Sequence, residues 1–212
     1  MWSEADLDPY PVFQFASLLT SYIALLVFFM VLLQVALGVA LYVVARWRHY
    51  RENQPPDPHL GLKFALSIFR LTSYQLALWA LFIIAFAILS SASTESKTNM
   101  LRVGFGLLLP SVLVFGAHEA LLRYATNVRI APTVVRLFRG VSLLFTGFFG
   151  FAAVVLTMFL WFQKDPEKDL VRAGYALLLV FGVAWPIEGL LFSTASKVLG
   201  FPGGGDYEKP ES

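Results

Sequence analysis

Five apolar stretches punctuate the chain, at about residues 16 to 45, 65 to 91, 103 to 123, 138 to 162 and 173 to 195, each closed by charge, proline or a polar cluster. A hydrocarbon core of roughly 30 Å is crossed by about 20 apolar residues in a helix, so each stretch is long enough to span a bilayer. No period-two alternation marks a β-barrel, and within lipid only a helix or a closed barrel satisfies its own backbone. The pattern predicts an all-α integral membrane protein of about five transmembrane helices.

The same pattern sets the boundaries. A polar N-terminal segment occupies 1–15, transmembrane helix 1 occupies 16–46, a loop follows over 47–62, and two helical hairpins cover 63–127 and 128–198, ahead of a flexible tail over 199–212. The tail is too polar and glycine-rich to build a core, and its Gly203 to Gly205 run lacks the lysine and following helix of a phosphate loop. The N-terminus, Met1-Trp2-Ser3-Glu4-Ala5-Asp6-Leu7-Asp8, has no basic n-region, and the apolar run after it is too long for a signal peptide, so the first span is expected to be retained.

Composition agrees: 58% of the 212 residues are hydrophobic and 14% charged, whereas soluble domains carry roughly a quarter charged. The net charge of +2 reflects basic loops, not a nucleic-acid footprint. Between spans 1 and 2 stand Arg46, Arg48, Arg51, Lys63 and Arg70, and between spans 3 and 4 stand Arg123, Arg129, Arg136 and Arg139. Both regions are expected on the cytoplasmic side, which puts the acidic N-terminus outside and the tail inside. The chain has no cysteine, which removes disulfides, thiolate metal sites and cysteine nucleophiles together.

A shift of about 69 residues lays the chain on itself. Phe69-Arg70-Leu71-Thr72-Ser73 matches Phe138-Arg139-Gly140-Val141-Ser142, Arg102-Val103-Gly104 matches Arg172-Ala173-Gly174, and Glu119 matches Glu188. The separation from Arg70 to Glu119 recurs between Arg139 and Glu188. This predicts two tandem parallel two-helix repeats behind one N-terminal helix, related by an axis along the membrane normal.

Charges inside spans are costly and mark candidate sites. Glu119 and Glu188 qualify, with Arg70 and Arg139 as their expected partners; at ~1.5 Å rise per residue Glu188 lies roughly 22 Å from Ala173, in the cytoplasmic third. The carboxylates are expected either to form a cation or proton pathway or to fasten each hairpin through ion pairs. His118, next to Glu119, has no counterpart in the second repeat and reads as a proton carrier, a metal ligand or a polar residue near the headgroups. Gln34 and Gln75 are neutral polar groups suited to interhelical hydrogen bonds. Pro110 and Pro186 interrupt spans 3 and 5 and each removes a backbone donor.

Enzymatic chemistry finds little support. All six aspartates, Asp6, Asp8, Asp57, Asp165, Asp169 and Asp206, fall outside the spans, and Ser111 and His118 stand about 10 Å apart along one helix, too far for a nucleophile and base. Haem ligation needs a second intramembrane histidine, whereas His49 and His59 lie in a loop. No metal or cofactor is expected. The expected function is a channel or transporter subunit for a small cation or proton, the alternative a non-catalytic scaffold or anchoring subunit of a membrane complex. The expected partners are the lipid bilayer and either further copies of the chain or other membrane subunits.

Overall fold

The computed structural model describes residues 10–51, 58–126 and 132–198. The expected N-terminal segment up to residue 9, parts of the two basic loops, and the tail lie outside the described residues. Among the described residues every regular element is helical: α1 (Tyr10–Arg51), α2 (Leu60–Leu89), α3 (Thr94–Tyr124), α4 (Pro132–Phe162), α5 (Lys168–Leu177) and α6 (Val183–Val198), with a π-helical turn (Leu178–Gly182) joining the last two.

Four stretches, Leu60–Leu89, Thr94–Tyr124, Leu137–Phe162 and Lys168–Leu191, are long and apolar enough to cross a membrane, while the described apolar part of α1 is the shorter Val31–Trp47. The helices outrun the apolar runs that predicted them. Lys97 and Arg102 lie on the opening turns of α3, ahead of the apolar run that starts near residue 103, because Ser93 caps that helix by accepting a hydrogen bond from the Ser96 amide at 3.3 Å and Glu95 complements its dipole. Likewise α1 continues to Arg51, α4 begins at Pro132, and α5 begins at Lys168. Nothing in these polar flanks breaks a helix, so the backbone keeps its internal hydrogen bonds past the apolar limit.

Helix α2 is the centre of the bundle, and its neighbours are α1, α3, α4, α5 and the π turn. Half of its most apolar window is buried, against a ninth to about a fifth in the other three spans. Toward its C-terminal end Trp79 sits 5.3 Å from the Phe149 ring and 5.2 Å from the Phe181 ring, centroid to centroid, so aromatic edges and faces from α2, α4 and the π turn close one core. At its N-terminal end Leu60, Phe64 and Leu71 pack with Phe138 of α4 and with Leu41, Tyr42 and Ala45 of α1. A hydrogen-bond chain adds to the α1 contact: Gln34 donates through Nε2 to Gln75 Oε1, and its own Oε1 accepts from Thr72 Oγ1 at 2.9 Å.

The two hairpins differ in their surroundings. Among the described residues helix α3 contacts α2 alone, whereas the stretch formed by α5, the π turn and α6 touches both α4 and α2. The two prolines also act differently. Helix α3 passes Pro110 as an ordinary α-helix, but the π turn ends at Gly182, four residues before Pro186, where a proline ring clashes with the preceding carbonyl. Room for this widened turn comes from Gly150: a Cβ there would stand 3.2 Å from the Phe181 carbonyl oxygen.

That contact is backbone and cannot swing aside. Gly150→Val is therefore expected to destabilise the detergent-solubilised protein by about 1–3 kcal/mol, read as a lower melting temperature. Gly116→Val, where an added Cβ meets nothing within 4 Å, should melt close to wild type; equal melting of the two variants would remove the packing role of Gly150.

Candidate functional site

The intramembrane charges converge at the end of the bundle where α2 and α4 begin and α3 and α6 approach their ends. There a cavity of about 590 Å³ is lined by Arg70, Tyr74, Phe115, Glu119, Arg123, Arg139, Ser142 and Glu188 among others, so α2, α3, α4 and α6 all contribute. Among the described residues helix α3 contacts only α2, and α6 contacts only α4 and the π turn. Among the described residues α3 and α6 make no contact with each other, so the cavity is a cleft between them.

Glu119 is held twice. Arg70 Nη1 donates to its Oε2 at 2.8 Å, and Arg123, one turn along α3, donates to its Oε1 at 2.8 Å. Arg70 is largely buried and Glu119 retains only a fifth of its side-chain surface, while Arg123 is mostly exposed. The first bond is therefore the strong one: it lies in a low-dielectric setting and ties α3 to its one neighbouring helix. The second is an exposed i,i+4 pair of a few tenths of a kcal/mol.

Arg139 and Glu188 do not repeat that bond. Glu188 accepts a hydrogen bond from Thr146 Oγ1 at 2.8 Å and is faced by the Tyr74 side chain, whereas half-buried Arg139 has neither ion pair nor hydrogen bond among the described residues. The sequence supplies the reason. Thr146 stands where the first hairpin has Ala77, so only the second hairpin offers its glutamate a hydroxyl. Arg123 stands where the second has Phe192, so only the first supplies a second arginine.

The remaining candidates lie elsewhere. His118 donates through Nδ1 to the Val114 carbonyl at 2.7 Å, since a carbonyl only accepts, and its ring rests 5.3 Å from that of Phe69. Ser111 likewise turns to its own helix, donating to the Leu107 carbonyl at 2.7 Å. Gln75 belongs to the α1 contact and does not line the cleft. Its Nε2 and the Trp79 Nε1 one turn later are buried donors with no partner in the described structure. No group of three histidine, aspartate or glutamate side chains comes together among the described residues.

Arg123 and Tyr74, which line the cleft, and Thr146, which donates to Glu188, were not among the sequence candidates for the site. Arg123 was legible, since it follows Glu119 at i,i+4, but it was counted as a loop charge. Tyr74 and Thr146 left no signal, because they are ordinary residues of apolar helices until packing brings Glu188 to face them.

Arg70→Gln and Glu119→Gln should each destabilise the protein by about 3–5 kcal/mol, because each leaves a buried partner charge uncompensated. In a double-mutant cycle the pair should show a coupling of at least about 1 kcal/mol. Arg139→Gln and Glu188→Gln, taken through the same thermal-unfolding cycle, should be additive to within about 0.5 kcal/mol; coupling between them as large as in the first pair would contradict the geometry.

Comparison with protein-family models, with curated proteins and with solved structures found no match, so the functional argument rests on the geometry of the cleft.

Proposed function

We propose that the chain is a five-span membrane protein, α1 being the fifth span, and that it serves as a channel or transporter subunit whose pathway passes through the cleft. The observation that carries this reading is Glu188: a carboxylate within an apolar helix, without a cationic partner among the described residues, at the wall of a cavity. Intramembrane carboxylates in such positions commonly belong to ion or proton pathways. Of the two solutes the carboxylates suggested, the proton is the better supported. Glu119 is neutralised by two arginines, and a metal cation seldom exchanges its water shell for a single carboxylate beside an arginine.

The scaffold reading has its own support in α3, which among the described residues touches only α2 and leaves most of its surface open to lipid or to another subunit, a further copy of the chain included. Proton flux into liposomes separates the two readings. Wild-type protein should acidify the lumen faster than empty vesicles under an imposed potential, and Glu188→Gln should lower that rate at least tenfold with the fold intact. If wild type leaks no more than empty vesicles and co-purifies in fixed ratio with other membrane proteins, the scaffold reading replaces transport.

Orientation follows the basic end, which we place in the cytoplasm with the N-terminus outside. The two hairpins are further proposed to descend from one duplicated unit. With no native cysteine, single replacements test the topology cleanly. An impermeant thiol reagent applied from the cytoplasmic side should label Val128→Cys and spare Lys97→Cys; the reverse pattern inverts the protein.

A further inference from the structure

We infer that the cleft binds the phosphate-bearing headgroup of an anionic phospholipid, with Arg139 as its principal contact. The inference is independent of the transport reading, because it concerns the arginine side of the cleft and not Glu188. Three observations converge on it: the charge balance, the depth and the shape of the opening.

The described charged residues lining the cleft are Arg70, Arg123, Arg139, Glu119 and Glu188, so one positive charge is left over. Among these five, Arg139 is the guanidinium with neither ion pair nor hydrogen bond among the described residues, because Arg70 and Arg123 are both engaged by Glu119. A half-buried guanidinium without a partner is costly, and its planar fork of donors matches a phosphate. The Ser142 hydroxyl, one turn further along α4, lines the same space.

The depth matches a headgroup. At ~1.5 Å rise per residue the stretch from Arg102 to Arg123 measures roughly 32 Å and that from Arg139 to Trp161 roughly 33 Å, close to the ~30 Å of hydrocarbon. Arg123 and Arg139 therefore stand together at one boundary of the membrane, at the level of lipid phosphates.

The shape selects a lipid over a free anion. The cleft lies between α3 and α6, and its walls are apolar: Phe115 on α3, Leu71 on α2, Ile187 and Leu191 on α6. A soluble anion gains nothing from such walls, whereas a phospholipid entering from the bilayer sets its phosphate on Arg139 and lays its acyl chains along them. The bound lipid then fills the gap that keeps α3 from touching the second hairpin.

Native mass spectrometry of the detergent-solubilised full chain, titrated with phosphatidylglycerol, tests the assignment. Wild type should retain one phosphatidylglycerol at least tenfold more tightly than phosphatidylcholine of the same chain length. Arg139→Gln should lose at least tenfold in that affinity, while Arg172→Gln, whose arginine pairs with Asp169 at the other end of the bundle, should not. Should Arg139→Gln fail to fold, Ile187→Trp, which fills the cleft and leaves the arginine in place, must show the same loss. Equal binding of the two lipids, wild-type affinity in folded Arg139→Gln, or displacement of the lipid by millimolar inorganic phosphate would each overturn the proposal, the last by marking a site for free anions. Tight lipid binding without proton flux would retire the transport reading alone, and flux without lipid binding would retire this one alone.

Discussion

A guanidinium placed inside an apolar helix has to find a carboxylate, and in this protein Arg70 of the central helix finds Glu119. The bond joins α3 to α2, the one helix it touches among the described residues, so the attachment of α3 to the bundle and the neutralisation of its charge are one event. Much of the cleft follows from it. With Glu119 committed to Arg70 and Arg123, Arg139 bonds to no carboxylate among the described residues, and Glu188 turns to a hydroxyl on α4. The geometry therefore yields one satisfied ion pair and, across the cleft, one guanidinium and one carboxylate not bonded to each other.

That asymmetry sits on an otherwise recurring pattern of arginine, serine, glycine and glutamate. Two differences suffice to break it, Thr146 in place of Ala77 and Phe192 in place of Arg123. The first hairpin has the residues to lock its charges together; the second has residues that leave them addressable. The functional proposals accordingly rest on Glu188 and Arg139, and the stability argument on Arg70 and Glu119.

Packing at the opposite end of the bundle explains why the cleft stays open. Helices in lipid associate through close contact and not through hydrophobic expulsion, so small residues decide where backbones meet. Gly150 lets the π turn approach α4, and the rings of Trp79, Phe149 and Phe181 lock α2, α4 and the π turn around it. Helix α3 has its own seat on α2, where a Cβ at Gly104 would stand 3.4 Å from the Ala80 carbonyl oxygen, and takes no part in that aromatic core. The second hairpin is thus drawn to one side of α2 and α3 to another, and the gap between them holds the charges.

The all-helical class, helices long and apolar enough to cross a membrane and the identity of the charged residues were written in the sequence, because hydrocarbon imposes a minimum run length and penalises every charge within it. The 49-residue separation likewise pointed to Arg70 and Glu119 as partners. It pointed just as firmly to Arg139 and Glu188, and there spacing along the chain was not enough. Whether two side chains bond depends on what else competes for them, and Thr146, Tyr74 and Arg123 enter that competition only when four helices meet. The overrun of the helices past their apolar limits belongs to the same class, since a cap such as Ser93 acts through local backbone geometry that hydropathy does not register. Composition and periodicity determined which groups had to be satisfied; tertiary packing decided which of them are satisfied by one another.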